Sequence, residues 1–318
     1  MQRAWMGTAW VIAVGCVGDA ANPNDAGGDD ATTQDVSQQT DGAPLDAAPP
    51  DASDASDAGA FGPASFGSKL VVWLDVSKDV IVAAGKVTTW KDQSGKGNDA
   101  VQTVAANAPS LTADAGMLGA VTFNAPTDAA VVPIYLSIAD SASLHFGLGD
   151  WTVAVVARHT NALGTYGALW TKADEITPGV CPCRGAAIFA NSTLPVSETN
   201  FLAQAASNGF DAAAYVDSVD GGYNDGKFHV IIARRTQQTT LEIRTDGISA
   251  KNTTLPAVDD TADGAAVGIG AGATGYSGVV GTSQLLHGDI AEIVAVQGTV
   301  SDTDMGSLEA YFKSKYGL

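Results

Sequence analysis

Short runs of β-branched and aromatic residues alternate with turn-forming residues from Phe66 to the C-terminal region. This pattern is typical of β-strands separated by tight connections. The predicted strands are residues 69–75, 100–104, 120–124, 134–138, 151–158, 165–171, 186–190, 201–205, 213–217, 227–235, 240–245, 265–269 and 285–297. The turn signals Asn224-Asp225-Gly226 and Asp246-Gly247 favour hairpins, and therefore antiparallel pairing. About a dozen strands at this spacing predict an all-β fold, a two-sheet antiparallel jelly-roll sandwich.

The last segment of the chain has the pattern of an α-helix. Ser301 and Asp304 fit the capping sequence Ser-x-x-Asp at a helix start. Apolar residues then recur at helical spacing, at Met305, Leu308, Phe312 and Tyr316. Gly317 follows as a C-terminal stop. The sequence therefore predicts one C-terminal helix whose apolar stripe packs on the sandwich.

The N-terminal segment has the features of an export signal. Arg3 precedes an apolar run, residues 4–13, that is too short to span a bilayer. The sequence Ala13-Val14-Gly15-Cys16 resembles the bacterial lipobox, in which the cysteine is lipidated. Residues 1–16 are therefore predicted to be a lipoprotein-type signal peptide with Cys16 as the lipidation site. The alternative is an ordinary signal peptide, cleaved near Gly15 or Gly18, with an incidental cysteine.

Residues 17–65 form an Asp/Ala-rich segment with ten aspartates and no lysine or arginine. Because it has almost no large apolar residue to bury, we expect a disordered linker between the anchor and a folded domain at residues 66–318. The whole chain has a net charge of −19, from 35 acidic and 16 basic residues. Phosphate binding needs a basic surface, so this charge excludes nucleic acid as a partner.

Four segments of the folded region carry a resemblance to a known family. They are Leu70-Val-Val-Trp-Leu-Asp75, Val87-Thr-Thr-Trp-Lys-Asp-Gln-Ser-Gly-Lys-Gly-Asn98, Gly288-Asp-Ile-Ala-Glu-Ile-Val294 and Leu308-Glu-Ala-Tyr-Phe-Lys-Ser-Lys-Tyr-Gly-Leu318. In order and spacing they resemble laminin-G-like domains of the concanavalin A-like lectin and glucanase superfamily. The resemblance implies a two-sheet jelly roll that binds carbohydrate or protein, in some members with a calcium ion at its rim. The fold alone does not decide among these functions.

Catalytic carboxylates of the glucanase type are not predicted. Glucanases of the superfamily carry Glu-x-Asp-x-x-Glu, whose carboxylates act as nucleophile and general acid, and the chain lacks this string. The nearest match is Asp289-Ile-Ala-Glu292, and three-residue spacing predicts opposite faces of a strand. Asp289 is interpreted as a strand-end hydrogen-bonding residue or a calcium ligand. Asp92 is interpreted as a turn cap or a calcium ligand, so calcium is the only candidate cofactor.

Aromatic, cysteine and histidine positions supply the other candidates. Sugar rings stack on exposed aromatic side chains, and the candidates for this role are Tyr166, Trp170, Tyr223 and Tyr276, each of which could equally pack on the sandwich. Cys181 and Cys183 are a candidate disulfide in an oxidising compartment, with free thiols, a redox role or a metal site as the alternatives. The histidines, His145, His159, His229 and His287, show no metal-ligand spacing.

The sequence thus predicts an exported protein, lipid-anchored to the bacterial outer membrane or cell surface. Its folded domain is expected to be a noncatalytic module that binds carbohydrate or a cell-surface protein. Two alternatives remain. One is a glycan-active hydrolase or lyase that uses carboxylates from loops, and the other is a structural envelope protein without a small ligand.

Overall fold

The structure is a computed structural model that describes residues 61–113, 118–124, 132–161, 166–177, 180–191, 200–206, 215–255, 264–274, 279–280 and 284–318. The predicted signal peptide, Cys16 and most of the predicted linker lie outside these residues.

Nineteen strands and one α-helix are defined in the described residues. The strands are β1 Leu70–Asp75, β2 Val80–Ala83, β3 Lys86–Trp90, β4 Ala100–Val101, β5 Ser110–Thr112, β6 Ala120–Asn124, β7 Leu136–Ile138, β8 Trp151–His159, β9 Gly167–Thr177, β10 Val180–Asn191, β11 Asn200–Ala206, β12 Tyr215–Asp217, β13 His229–Thr236, β14 Thr240–Thr245, β15 Ile248–Asn252, β16 Val267–Ile269, β17 Ala273–Thr274, β18 Val279–Val280 and β19 His287–Gln297. The helix is α1 Asp302–Tyr316. Short 3-10 segments occur at Pro63–Lys69, Ala105–Asn107 and Ala142–Leu144.

Seventeen strands pair antiparallel in a continuous network that forms two layers. In the first layer, β5, β6, β19, β8, β13, β14 and β15 pair in that order, and β1 pairs with β19 on the same edge as β6. In the second layer the order is β2, β3, β4, β7, β16, β9, β10, β11 and β12. One residue pair, Lys86 with Ser110, joins β3 to β5 at a corner between the layers. The strands β17 and β18 form a separate ribbon.

The two layers share one apolar core. Val155 and Ile231 of the first layer and Trp170 and Phe201 of the second belong to the same buried cluster. β8 and β13 are buried on nearly every residue because the second layer covers their inner face and α1 covers their outer face. Such doubly covered strands read as near-continuous apolar runs rather than as alternating ones.

The helix α1 lies across the outer face of the first layer. Its N-terminus is capped by Ser301, whose Oγ accepts a hydrogen bond from Asp304 N at 3.0 Å, and it ends at Gly317 in the left-handed region, with φ 70°. The helix buries the predicted apolar stripe, Met305, Leu308, Phe312 and Tyr316. The prediction of an antiparallel all-β sandwich with one C-terminal helix is confirmed.

Candidate functional site

An open depression of about 250 Å³ lies at one end of the first layer, beyond the C-terminal end of α1. It is lined by Thr122, Arg158, His159, Thr160, Gly226, Gly288 and Asp289. The strand register explains the arrangement, because Thr122 of β6 lies opposite Asp289 of β19, which in turn lies opposite Arg158 of β8. These polar side chains form a row across the outer face, where the helix no longer covers the sheet.

The central element of this row is an ion pair. Arg158 Nε donates to Asp289 Oδ2 at 2.5 Å, and the side chains are 28% and 11% exposed. The guanidinium carbon also lies 4.7 Å from the ring centre of Phe228, a distance typical of a cation–π contact. The depression therefore presents a planar cation and a carboxylate that both reach solvent, and the buried ring of Phe228 supports the guanidinium from beside it.

Gly288 determines how closely β8 and β19 approach beside the depression. A Cβ atom at this position would lie 2.2 Å from Arg158 O and 2.9 Å from the Cα of His159. Only glycine allows this separation. At the rim, Thr160 Oγ1 lies 2.8 Å from His287 Nδ1, which links the two strands again where they end.

Two histidines lie beneath the depression, between the layers. His159 is fully buried, and neither ring nitrogen has a hydrogen-bond partner among the described residues. Its burial lowers the pKa to about 4, and the neighbouring His229 contributes to the shift. The ring of Phe201 packs edge-on against His159 at 5.3 Å. His159 is therefore neutral near pH 7.

His229 contacts two carboxylates. Its Nδ1 lies 2.7 Å from Asp246 Oδ2, and its Nε2 lies 3.2 Å from Asp225 Oδ1. Burial favours the neutral ring, but the hydrogen bonds and negative charges of Asp246 and Asp225 outweigh it and raise the pKa of His229. The ring of Tyr223 packs edge-on against His229 at 4.9 Å. Burial, together with nearby aspartates, raises the pKa of Tyr223.

Asp92 lies elsewhere, in a shallow groove of about 440 Å³ that includes Lys91 and Gln93. Its Oδ1 accepts hydrogen bonds from Trp73 N and Ser94 N, and its Oδ2 accepts from Ser94 Oγ and Asn98 N. Four protein donors thus occupy the four lone-pair positions of a carboxylate. This arrangement favours the turn-cap interpretation of Asp92 over calcium binding.

The prediction that Asp289 and Glu292 face opposite sides of a strand is wrong. A β-bulge between Ile290 and Glu292 inserts one residue, so that Asp289 lies opposite Arg158 and Glu292 opposite Val156, which share a face. The two acids nevertheless differ in access to solvent. Asp289 borders the open depression, whereas Glu292 is fully buried under α1.

The aromatic candidates for sugar stacking lie in different parts of the structure. Trp170 is fully buried in the core, and Tyr223 is buried beside His229. Tyr166 is half-buried and packs edge-on against Phe189 on the outer face of the second layer. Tyr276 lies outside the described residues. Of the three candidates that the structure describes, only Tyr223 packs against His229, beneath the depression.

The cysteine and metal predictions stay predictions. The backbones of Cys181 and Cys183 belong to β10, but their side chains lie outside the described part of the chain. No three His, Cys, Asp or Glu side chains in the described ranges are grouped in a way that could hold a metal ion. Among the helices that the structure describes, none is long and apolar enough to cross a membrane.

Sequence reasoning missed Arg158, Phe228 and the proximity of His159 to His229. The antiparallel pairing of β8 with β13 places His229 opposite Ala157, and this brings the dipeptides 158–159 and 228–229 together. Both predicted strands were visible in the sequence. The pairing of these strands was not visible in the sequence. The only available signal for the site was a basic residue at the end of each apolar run.

Comparison with known proteins supports the fold and does not identify a family. No family model and no curated protein sequence matches the chain. An arabinofuranosidase complexed with arabinofuranosyl-alpha-1,2-xylobiose is similar in structure, with a TM-score of 0.51, 14% identity, and coverage of 73% of this chain and 51% of the other.

Two further solved structures have slightly lower scores. The binding domain of Paraclostridial Mosquitocidal Protein 1 has a TM-score of 0.49 and 13% identity, over 78% of this chain and 53% of that one. Trypanosoma rangeli sialidase in complex with sialic acid has a TM-score of 0.49 and 12% identity, over 76% and 32%. The chain thus spans about half, or less, of the length of these proteins. At such identities, what the arabinofuranosidase similarity supports is the antiparallel β-sandwich itself.

Proposed function

We propose that the protein is an exported, lipid-anchored binding module that recognises carbohydrate, without catalysis, through the depression around Arg158 and Asp289. The observation that carries this proposal is the ion pair between these two residues beside the ring of Phe228, at the uncovered end of the first layer. Arg158 and Asp289 both come from paired strands, so the ion pair is built on the rigid part of the sandwich.

The chemistry of the row suits a sugar. Each sugar hydroxyl both donates and accepts hydrogen bonds, and neighbouring hydroxyls can be matched by a guanidinium donor beside a carboxylate acceptor. Thr122 and Thr160 add hydroxyls that contact Thr112 Oγ1 at 2.6 Å and His287 Nδ1 at 2.8 Å, and each keeps a lone pair that can accept from a sugar hydroxyl. The volume of about 250 Å³ is below the range of pockets that enclose drug-sized ligands. It fits one sugar unit of a longer glycan that continues across the surface.

Binding without turnover is favoured by the state of Asp289 and Glu292, the two acids of β19. Retaining and inverting glycosidases need two carboxyl groups that both reach the scissile bond. Asp289 is held by Arg158, and Glu292 is covered by α1. The fold similarity to an arabinofuranosidase keeps glycan hydrolysis as the alternative, and a purely structural envelope role is the second alternative.

A glycan array and a polysaccharide pull-down with the whole chain test the proposal. We expect retention of at least one glycan class, with equal signal in calcium and in chelator, because Asp92 and Asp289 already have protein partners. Release of shorter products would instead support a hydrolase or lyase. Binding only to proteins, with no sugar retained, would contradict the proposal.

The lipid anchor is tested separately. We expect a labelled fatty acid to be incorporated into the wild-type chain in a bacterial host, and not into Cys16→Ser. Incorporation into neither chain would support the ordinary signal peptide instead, and would leave the binding proposal unaffected.

A further inference from the structure

We propose that His229 is a positioning residue of the depression and that it acts as an imidazolium, which holds the segment 224–228 in place. This inference deepens the proposed function, since it concerns the same site. It rests on the two carboxylates that face the ring, on the hydrogen bonds that these carboxylates accept from backbone N–H groups, and on the position of the segment in the depression wall.

The geometry around His229 requires two donors on one ring. Nδ1 faces Asp246 at 2.7 Å and Nε2 faces Asp225 at 3.2 Å. A neutral imidazole carries a single N–H, so it can donate to only one carboxylate and presents a lone pair to the other. An ionised carboxylate only accepts hydrogen bonds. Both contacts are therefore favourable only when the ring is doubly protonated.

Asp225 transmits the state of His229 to the depression. Its Oδ1 also accepts a hydrogen bond from Lys227 N at 2.8 Å, and this bond closes the turn that contains Gly226. Gly226 lines the depression, and Phe228 lies under the Arg158 guanidinium. When His229 loses its second proton, one end of this segment loses a charge-assisted hydrogen bond. The wall of the site then becomes less ordered, although no group that would touch the ligand has changed.

The other contact of His229 is anchored more firmly. Asp246 Oδ1 accepts from Val230 N at 2.9 Å, and Lys313 of α1 donates to Asp246 O at 3.2 Å. Loss of the ring proton should therefore release the Asp225 side, whose other contacts among the described residues lie within its own turn, with Lys227 N at 2.8 Å and Lys227 Nζ at 3.2 Å.

The remaining charged or titratable neighbours do not compete for the role. His159 faces the cluster from β8 and stays neutral above about pH 4, because burial lowers its pKa. Tyr223 keeps its proton, because burial and nearby acids raise its pKa. Within the described residues, His229 is thus the group in this cluster that loses a charge as pH rises beyond the ordinary range of histidine.

Amide hydrogen exchange of the ligand-free full chain tests the proposal. We expect the protection factors of the segment 224–228, corrected for intrinsic exchange, to fall about tenfold between about pH 5.5 and about pH 9. This is the effect expected from the loss of one charge-assisted hydrogen bond. In His229→Gln the segment should show low protection at every pH. Asp225→Asn, which leaves the ring in place, should do the same and serves as a second route if the first variant does not fold.

The matched control is His145→Gln, a partly exposed histidine that pairs with Asp140 away from this segment, and it should keep the wild-type profile. A wild-type profile without pH dependence, or an unchanged dependence in Asp225→Asn, would overturn the proposal. No ligand takes part in this measurement. A failure of glycan binding would therefore refute the proposed function, and the exchange experiment would still test the role of His229.

Discussion

Lys315 supplies the positive charge between two buried carboxylates, and Lys315→Met tests how α1 is held on the sheet. Asp75 of β1 lies directly opposite Glu292 of β19, and both side chains are essentially inaccessible to solvent. Lys315 Nζ lies 2.6 Å from Glu292 Oε2 and 2.7 Å from Asp75 Oδ2. The first contact is a directed hydrogen bond, and the second is an ion pair without hydrogen-bond alignment.

The expected cost follows from removing one partner of a buried charge cluster. Like charges placed directly opposite in a ladder repel each other, and breaking a buried ion pair by removing one partner costs about 3–5 kcal/mol. Lys78 lies 3.8 Å from Asp75 Oδ2, but its side chain is 43% exposed, so it compensates little. At roughly 2–4 °C per kcal/mol for a domain of this size, the midpoint of thermal unfolding should fall by roughly 10 °C.

The cost should depend on pH in a defined direction. Burial raises the pKa of Glu292 above its ordinary value, and Asp75 adds to the shift while Lys315 opposes it. A carboxyl whose pKa is higher in the folded state loses stability as pH rises from the unfolded pKa to the folded one. Without Lys315 the folded pKa rises further. The penalty of Lys315→Met is therefore smaller near pH 5 than near pH 7.5.

Denaturant unfolding followed by tryptophan fluorescence measures both quantities. The control is Lys313→Met, two residues earlier in α1. Lys313 pairs with Glu309, which Arg244 also neutralises, and it donates to Asp246 O at 3.2 Å, so this change should cost about 1 kcal/mol, well below the Lys315→Met penalty. Equal costs for the two variants, or a Lys315→Met penalty that is the same at both pH values, would refute the reasoning.

Two further outcomes are expected. The stabilising effect of neutral His159 is lost as pH falls from 6.5 towards 4. The unfolding free energy of wild type relative to His159→Phe should therefore drop by about 3 kcal/mol over that range. A difference between the two proteins that does not change with pH would contradict the assignment. Gly288→Ala should destabilise strongly because of the 2.2 Å contact, whereas Gly306→Ala, with open space around it in α1, should stabilise by up to about 1 kcal/mol. Comparable midpoints for the two variants would be the contrary result.

Local signals predicted the longer strands and the helix, and they missed the shorter strands β2, β3, β5, β15, β17 and β18. The alternation of apolar runs and turns indicated the strands, because it depends only on neighbouring residues. Ser301 and Gly317 fixed the two ends of α1 for the same reason, and both caps are present in the structure. The turn at Asp246-Gly247 also joins two paired strands, as expected.

The candidate site depended on pairing that a single sequence does not display. Asp289 was identified as a candidate, but its partner Arg158 is distant in sequence and meets it only through the β8–β19 ladder. The bulge after Ile290 changes the face of Glu292, and strand periodicity alone cannot reveal it. Trp170 illustrates a different limit, since an aromatic residue that stacks on a sugar and one that fills a core have the same local pattern.

The central claim is that the ion pair beside Phe228 contacts a sugar. Isothermal titration with a glycan selected on the array tests it most directly, comparing wild type, Arg158→Met and Lys91→Met, whose ion pair with Asp99 lies near the other groove. We expect Arg158→Met to weaken binding by about tenfold or more, as for a lost charge-assisted hydrogen bond, and Lys91→Met to bind as wild type does. Equal affinity of wild type and Arg158→Met would contradict the account.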